Sequence, residues 1–289
     1  MYTPSTSFDE YFQYEQKKYP QLKIEDIQEL KKKLKDEKQL PPISDKILVA
    51  FLHSCYFDLE SAHNTVINCY KSFFETPNLF CDLDPIDEKI KNQFECTTWN
   101  HLTYDNYDKK EHYLYIQYDN ITNFQLFDPL SDYKIMILWM EYLLLCHGTC
   151  DAVNVVINCI NIQWRHIFKS CSQISMIHKM LNYVQEGLPV RLNKLHIMNS
   201  GKSMQYLFKI VKPFIKSQLV NKIKFYSNDS EDIYSHVPKS IFPEDIGGTS
   251  LSCKALFDSF QQNLNSCREW YVEQNEIIRR QINTNKNNK

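Results

Sequence analysis

Apolar residues at the start of the chain are spaced as in an α-helix. Over residues 22–38 they fall every three or four positions with lysines opposite, which predicts a short, highly charged helix. The proline pair at 41–42 is expected to end this helix. The first 20 residues are polar and aromatic without a clear period, and they predict a loosely ordered leader.

Two further helices are predicted from their first residues. Ser44 and Asp58 are residue types that favour the amino-terminal cap of a helix, and an apolar periodic run follows each of them. The helix after Asp58 is expected to reach about residue 74, and Pro77 is expected to close the helical block.

Beyond residue 95 the pattern changes to alternating strands and helices. Runs rich in β-branched and aromatic residues predict strands at 112–118, 152–162, 192–199 and 222–226. Periodic runs between them predict helices at 133–146, 172–185 and 204–212, and residues 251–280 predict a tail with one more helix. This order predicts an α/β fold with a mostly parallel sheet and crossover helices.

Composition excludes several function classes. The 289 residues contain only five glycines, and no three of them fall within six residues, as a dinucleotide fingerprint requires. Gly201-Lys202-Ser203 resembles the end of a phosphate-binding loop, but the glycine required five residues earlier is His196. We therefore interpret this stretch as a strand-to-helix turn with Ser203 as the helix cap.

No pattern of cysteine, histidine or serine predicts catalysis. Residues 146–150, CHGTC, bring three possible metal ligands together, but no second pair is near in sequence, so we expect no metal. Ten cysteines without a C-x-x-C pair and no apolar leader predict reduced thiols in a cytoplasmic protein. No apolar run approaches the length of a membrane span. We expect neither an enzyme nor a cofactor.

One segment has an unusual charge. Residues 187–228 carry eight lysines and arginines and no acid, while the whole chain has a net charge of −2, so the remainder carries −10. The same segment is rich in apolar and aromatic residues. A basic, amphipathic surface of this kind favours contact with anionic membrane, although a solvated helix face explains the pattern equally well. The near-neutral whole chain gives no reason to expect a nucleic-acid partner.

Four stretches carry a family resemblance. WRHIF, LNYVQEGLPVRLNKLHIMNS, LFKIVKPFIKSQLVNKIKFY and VPKSIFPEDIGG follow in order within residues 152–248. They resemble the CRAL-TRIO lipid-binding family, in its α-tocopherol transfer protein-like, insect-type branch. Residues 47–80 look like that family's amino-terminal helical domain. The resemblance implies a leader at 1–20, a helical domain at 21–95, a CRAL-TRIO domain at 96–248 and a helical tail at 249–289.

The resemblance also implies a function and a set of residues. It implies intracellular binding and transfer of a small lipophile, such as a tocopherol, retinoid or carotenoid, in a closed apolar cavity whose lid helix responds to membranes. The implied cavity residues are Ile157, Ile162, Met180, Tyr183, Val184, Leu188, Val190, Leu192, Leu195, Met204 and Leu207. The implied lid residues are Leu207, Ile210, Val211 and Phe214, and the implied membrane or headgroup residues are Arg191, Lys194, Lys209, Lys212, Lys216 and Lys222.

The chain departs from the family pattern at several places. Positions that carry arginines in many members read Ala50, His53 and Cys55, and two other headgroup positions read Asn193 and Gln218. Phosphoinositide binding is therefore open. Wall positions that offer hydroxyls in the tocopherol carrier fall near residues 136–140, where methionine and isoleucine stand. Two alternatives remain open: phosphatidylinositol or other phospholipid transfer, and a membrane adaptor without a ligand.

Overall fold

The structure is a computed structural model that describes residues 2–3, 5–106, 109–118, 123–228 and 231–287. Its strands are β1 Thr97–Asn106, β2 Lys109–Tyr118, β3 Ala152–Asn158, β4 Leu192–Met198 and β5 Ile223–Phe225. The helices are α1 Phe8–Lys18, α2 Ile24–Leu34, α3 Asp45–Ser54, α4 Leu59–Glu75, α5 Pro77–Phe80, α6 Glu88–Phe94, α7 Pro129–Cys146, α8 Trp164–Cys171, α9 Ile174–Glu186, α10 Lys202–Val211, α11 Ser217–Val220, α12 Cys253–Ser266 and α13 Arg268–Asn287.

The amino-terminal helices begin where their caps predict. The Ser44 hydroxyl accepts a hydrogen bond from the Ile47 amide, and the Asp58 carboxylate accepts one from the Ser61 amide at 2.7 Å. Such caps satisfy amides that have no partner inside the helix. Pro77, expected to close the block, instead stands in the first turn of α5, where a proline is tolerated because that amide needs no partner.

The prediction of a loosely ordered leader is wrong. Residues 8–18 form α1, and Ser7 caps it by accepting a hydrogen bond from the Glu10 amide. Glu15 is fully buried and accepts hydrogen bonds from Tyr2 and Lys18, both at 2.7 Å. Lys18 also donates to the His147 carbonyl at 3.3 Å, and the Tyr2 amide donates to the Cys146 carbonyl at 2.6 Å. The leader is ordered because these long-range contacts hold it against the carboxyl end of α7, and such contacts leave no periodic trace in the sequence.

The sheet is mostly parallel, as predicted. Its five strands lie in the order β1-β2-β3-β4-β5; β1 and β2 pair antiparallel, and every later pair is parallel. The edge strand β1 was not predicted, because its residues TTWNHLTYDN are mostly polar. Two further differences concern β3, which ends at Asn158 and not at residue 162, and the tail, which holds two helices and not one.

The turn after β4 has a different cap from the one expected. Gly201 is the cap residue of α10, and Ser203 lies inside the helix, so the prediction that Ser203 caps it is wrong. The short helix α8 was likewise unpredicted. Its amino terminus is fixed by His166, whose ring Nδ1 accepts a hydrogen bond from the Gln163 amide at 3.0 Å.

Candidate functional site

An apolar pocket lies between the sheet and three helices. Its volume is about 240 Å³. Helix α7 contributes four wall residues, namely Tyr133, Met136, Ile137 and Met140; α9 and the turn after it contribute Ile177, Met180, Leu181, Tyr183, Val184 and Leu188. The sheet contributes Val155, Ile157, Leu192, Leu195, Ile197 and Ile223, and the segment from α10 to α11 contributes Met204, Leu207, Phe208, Val211, Ile215 and Leu219.

The wall of this pocket carries no charged side chain. Its side-chain polar groups are the phenols of Tyr133 and Tyr183, and burial raises the pKa of both, so both stay neutral. The remaining wall residues are aliphatic or phenylalanine or methionine. Binding in such a pocket is favourable because apolar ligand surface is removed from water, which contributes about 25 cal/mol of binding free energy per Å².

Nine of the eleven predicted cavity residues line this pocket. Ile162 does not, because β3 ends at Asn158 and Ile162 lies beyond it, packed on the cluster that contains Cys159 and Ile167. Val190 faces a neighbouring pocket instead. That any of these residues binds a ligand stays a prediction.

Several wall residues were missed, although their spacing could have found them. Ile177 and Leu181 lie three or four positions from Met180 and Val184, so they share one face of α9. The wall of α7 could not be found in this way, because nearly all of that helix is apolar. Periodicity fails where a helix is buried on every side.

The predicted lid residues divide into two groups. Leu207 and Val211 line the pocket, together with Met204 and Phe208, at the spacing of one helical face. Ile210 is half-buried outside the pocket, and Phe214 lies in the turn after α10, 38% exposed, with its ring 4.9 Å from that of His178.

Exposed aromatic side chains surround the outer face of α10. Trp164 and Phe168 of α8 are 45% and 60% exposed and stack with their ring centroids 5.9 Å apart. Tyr206 of α10 is 44% exposed and meets the Trp164 ring edge-on at 5.4 Å. A cluster of large apolar groups at the surface is a feature of interaction sites.

The predicted headgroup residues also divide. Arg191, Lys216 and Lys222 line a second pocket of about 250 Å³ next to the first, bordered by α3 and α4, whereas Lys194, Lys209 and Lys212 do not. Lys209 and Lys212 are exposed along and just after α10. The three pocket cations thus converge from different parts of the chain.

Each cation of this basic pocket already has a partner in the protein. The Arg191 Nε donates a hydrogen bond to the His53 carbonyl at 2.9 Å, and the guanidinium lies 4.2 Å from the Tyr56 ring centroid. Lys222 donates to the Leu192 carbonyl, and burial lowers its pKa. Lys216 forms an ion pair with Glu186, which lies just outside the acid-free segment.

Residues 146–150 are not grouped as a metal site. Within the described residues, no cluster of three histidine, cysteine or acidic side chains is arranged to hold a metal ion. The Cys146 sulfur lies instead 3.6 Å from that of Cys267. None of the described helices is both long and apolar enough to cross a bilayer.

Comparison with known proteins places the chain in a family. Residues 99–248 match the CRAL/TRIO domain, and residues 19–90 match the Pinta-like, UBA domain. The chain therefore belongs to the CRAL/TRIO domain family, whose members bind and transfer lipids. This confirms the family resemblance and the α/β fold with its helical amino-terminal part.

Individual relatives are distant. The chain is 24% identical to mouse alpha-tocopherol transfer protein-like over 239 residues, which cover 80% of this chain and 66% of the mouse protein, slightly less than two thirds. It is 24% identical to human Clavesin-2 over 90 residues, which cover 30% of this chain and 28% of Clavesin-2. The crystal structure of Sfh5 superposes with a TM-score of 0.51 at 12% identity, covering 84% of this chain and 83% of that one, and supports the fold.

Proposed function

We propose that this protein binds a small lipophile in the apolar pocket and transfers it inside the cell, with the segment from α10 to α11 as a lid. The tocopherols, retinoids and carotenoids are the ligand classes expected. The observation that carries the proposal is the pocket wall itself, which is apolar on every side and has no charged group. No catalytic group is predicted at this site, and the proposed function is to bind and transfer a ligand without a chemical reaction.

The position of α10 supports its role as a lid. Within this helix only Ser203 and Met204 are buried, so one face covers the pocket and the other meets solvent. A surface that accepts its apolar face lowers the free energy of opening, because it binds the open state better than the closed one.

The surface around α10 supports membrane contact. Exposed Trp164, Phe168 and Tyr206 lie on α8 and α10, and Lys209 and Lys212 are exposed close by. Aromatic rings suit the headgroup boundary of a bilayer, and each lysine near an anionic surface contributes about 1 kcal/mol. We infer that the protein is cytoplasmic and associates peripherally with membranes through this surface.

Native mass spectrometry of the protein from its own source, followed by organic extraction, tests the carrier function. One lipophile per chain is the expected result. An extracted phospholipid would replace the small-lipophile proposal with phospholipid transfer. A chain that is empty and takes up no added lipophile, yet binds anionic vesicles, would overturn the carrier function in favour of a membrane adaptor.

Vesicle binding tests the membrane surface separately. Changing Lys209 and Lys212 to glutamine should weaken binding to anionic vesicles, and added salt should mimic the loss. The control changes two exposed lysines of α2, Lys32 and Lys33, to glutamine and so changes the net charge equally. If both variants lose the same affinity, net charge and not this surface attracts the membrane.

The basic pocket supports a second candidate function, recognition of an anionic lipid headgroup. Arg191, Lys216 and Lys222 converge there, although each has a partner inside the protein. Changing Arg191 and Lys222 to glutamine should reduce binding to vesicles that contain phosphoinositide, relative to vesicles of equal charge made with phosphatidylserine. An equal loss on both vesicles would exclude headgroup recognition.

A further inference from the structure

A second cavity lies between the carboxyl-terminal half of α7 and the helices of the amino-terminal part of the chain. Its volume is about 360 Å³, and its walls come from α3, α4, α7, α9 and α13. Phe73, Leu144 and Ile278 are among its apolar wall residues. The predicted function assigns this cavity no role.

The two cavities lie end to end along one face of α7. Residues 133, 136, 137 and 140 line the first pocket, and residues 140, 141, 144 and 145 line the second. Residues 133, 137, 140 and 144 follow one another at steps of three and four, which places these four on one side of the helix. Met140 and Tyr183 line both cavities, so these two side chains form the partition. Methionine is unbranched and flexible, so this partition can move.

Glu141 is the charged group that α7 places at the second cavity. Its Oε2 is buried and has no hydrogen-bond partner among the described residues. Burial raises the pKa of Glu141 to about 7, and a hydrogen bond from the Trp270 side chain lowers it by less. A buried carboxyl oxygen without a donor is unfavourable unless something else supplies one.

Asp132, on the same helix, shows what a satisfied buried carboxyl looks like here. Burial raises its pKa to about 7 as well. Its two oxygens, however, accept hydrogen bonds from Gln93 at 2.6 Å and from Tyr118 at 3.0 Å. Both oxygens of Asp132 thus have a hydrogen-bond donor within the protein, whereas Oε2 of Glu141 can still accept a hydrogen bond from a ligand.

We propose that the ligand spans both cavities, with its apolar body in the first pocket and a hydroxyl at its end donating a hydrogen bond to Glu141. This inference rests on the proposed carrier function and narrows its ligand class to hydroxylated lipophiles, excluding pure hydrocarbons. The volumes support it, because small-molecule pockets are usually about 300–1,000 Å³. The first pocket alone, at about 240 Å³, falls below that range, and the two joined fall within it.

Binding of a matched pair of probes to the purified full chain, stripped of lipid, tests this inference. Hexadecanol carries the hydroxyl donor, and methyl hexadecyl ether has the same chain without it. At pH 8.5, where a carboxyl with a pKa of about 7 is ionised and cannot donate to the ether, we expect the wild-type protein to bind the alcohol about ten-fold more tightly, the usual effect of one hydrogen bond to a charged group. Titration calorimetry measures both affinities.

Four variants locate the effect. Glu141→Leu should bind both probes equally, while Glu141→Gln, which keeps a carbonyl acceptor, should retain part of the preference. Asp132→Asn is the matched control and should retain all of it. Met140→Trp enlarges the partition and should weaken hexadecanol more than octanol, which is short enough for the first pocket. Circular dichroism verifies that each variant is folded.

The outcomes separate the two proposals. Wild-type protein that binds neither probe contradicts the carrier function itself. Wild-type protein that binds alcohol and ether equally leaves the carrier function standing and overturns the role of Glu141. A preference that survives in Glu141→Leu also overturns it, whether or not Met140→Trp folds.

Discussion

Two of the helices that wall the apolar pocket, α7 and α10, differ in what surrounds them. In α7, 13 of 18 residues are buried, and the helix also contacts α5, α6 and α12. In α10, two of ten residues are buried, and its helical neighbours α8 and α9 leave its outer face in solvent. Helix α7 is therefore part of the core, whereas α10 covers the pocket from the solvent side. The difference teaches that stability and exchange can be assigned to separate helices.

The largest expected effect comes from the core wall. Leu143 of α7 is fully buried, and Leu143→Ala should lower the free energy of unfolding by about 3 kcal/mol or more, because it leaves a cavity that cannot collapse. Leu207→Ala in α10 should cost about 1 kcal/mol or less, since that side chain is partly exposed already. Urea unfolding measures both. Equal losses would mean that α10 belongs to the core as much as α7 does.

Acid is expected to lower the stability of the folded protein through three histidines beside α7. His101, His112 and His147 lie together near the carboxyl end of α7, and burial lowers their pKa values to about 3, 2 and 4. In the unfolded chain a histidine has a pKa near 6.5, so below that pH the unfolded state binds protons that the folded state does not. The folded protein therefore has its full stability above pH 6.5 and loses stability as the pH falls below it.

His112→Leu isolates this contribution. Between pH 6.5 and 5 the wild-type protein should lose about 2 kcal/mol more stability than the variant, at roughly 1.4 kcal/mol per pH unit for one fully buried imidazole. The difference between the two proteins removes the opposite contribution of Asp132 and Glu141, whose raised pKa values favour the folded state in acid. Parallel stability curves would show that His112 is charged in the folded protein.

The cover should control exchange more than stability. Leu207→Asp together with Phe214→Asp should leave folding largely intact and slow transfer between vesicles about ten-fold or more, because charged groups oppose contact of the lid with the bilayer. A fluorescent lipophile moved between donor and acceptor vesicles gives the rate. Gln205→Asp, at an exposed position of the same helix, is the control and should transfer normally. An unchanged rate in the double variant would contradict the lid assignment.

A smaller effect is expected from the hydrogen bonds that hold the turn after α10. The Gln185 side chain at the end of α9 donates to the Phe214 carbonyl at 3.2 Å and accepts from the Lys216 amide at 2.6 Å, so it ties down the turn after α10. Gln185→Ala should speed transfer a few-fold, since each exposed hydrogen bond contributes about 0.5–1.5 kcal/mol. Slower transfer would mean that Gln185 holds the open state.

Sequence and structure agree best where the signal is local. The caps Ser44 and Asp58 were predicted because a short polar side chain needs only the next turn of its own chain to act. The strands β2 to β5 and their parallel order followed from residue type and spacing. Likewise, the amphipathic pattern of α10 marked the cover, because one solvent-facing side is visible in the spacing of its apolar residues.

The long-range features of the site were decided by tertiary structure. Arg191, Lys216 and Lys222 form one pocket because three segments meet there, and sequence alone grouped them with lysines that lie elsewhere. Helix α1 is held by the buried Glu15, whose partners include Thr149, just after the carboxyl end of α7. Contacts of this kind depend on how the chain returns on itself.

The amino-acid sequence by itself determined the family, the layered α/β architecture and the apolar character of the pocket, because these depend on residue type and period. It also contained one unused signal, since Glu141 is the single acid in the apolar run 133–146. Only the tertiary structure decided that Oε2 of this carboxyl lies buried beside a cavity without a donor, whereas both oxygens of Asp132 have one. Whether a buried charge is satisfied depends on neighbours distant in sequence, and those are fixed only when the chain is packed.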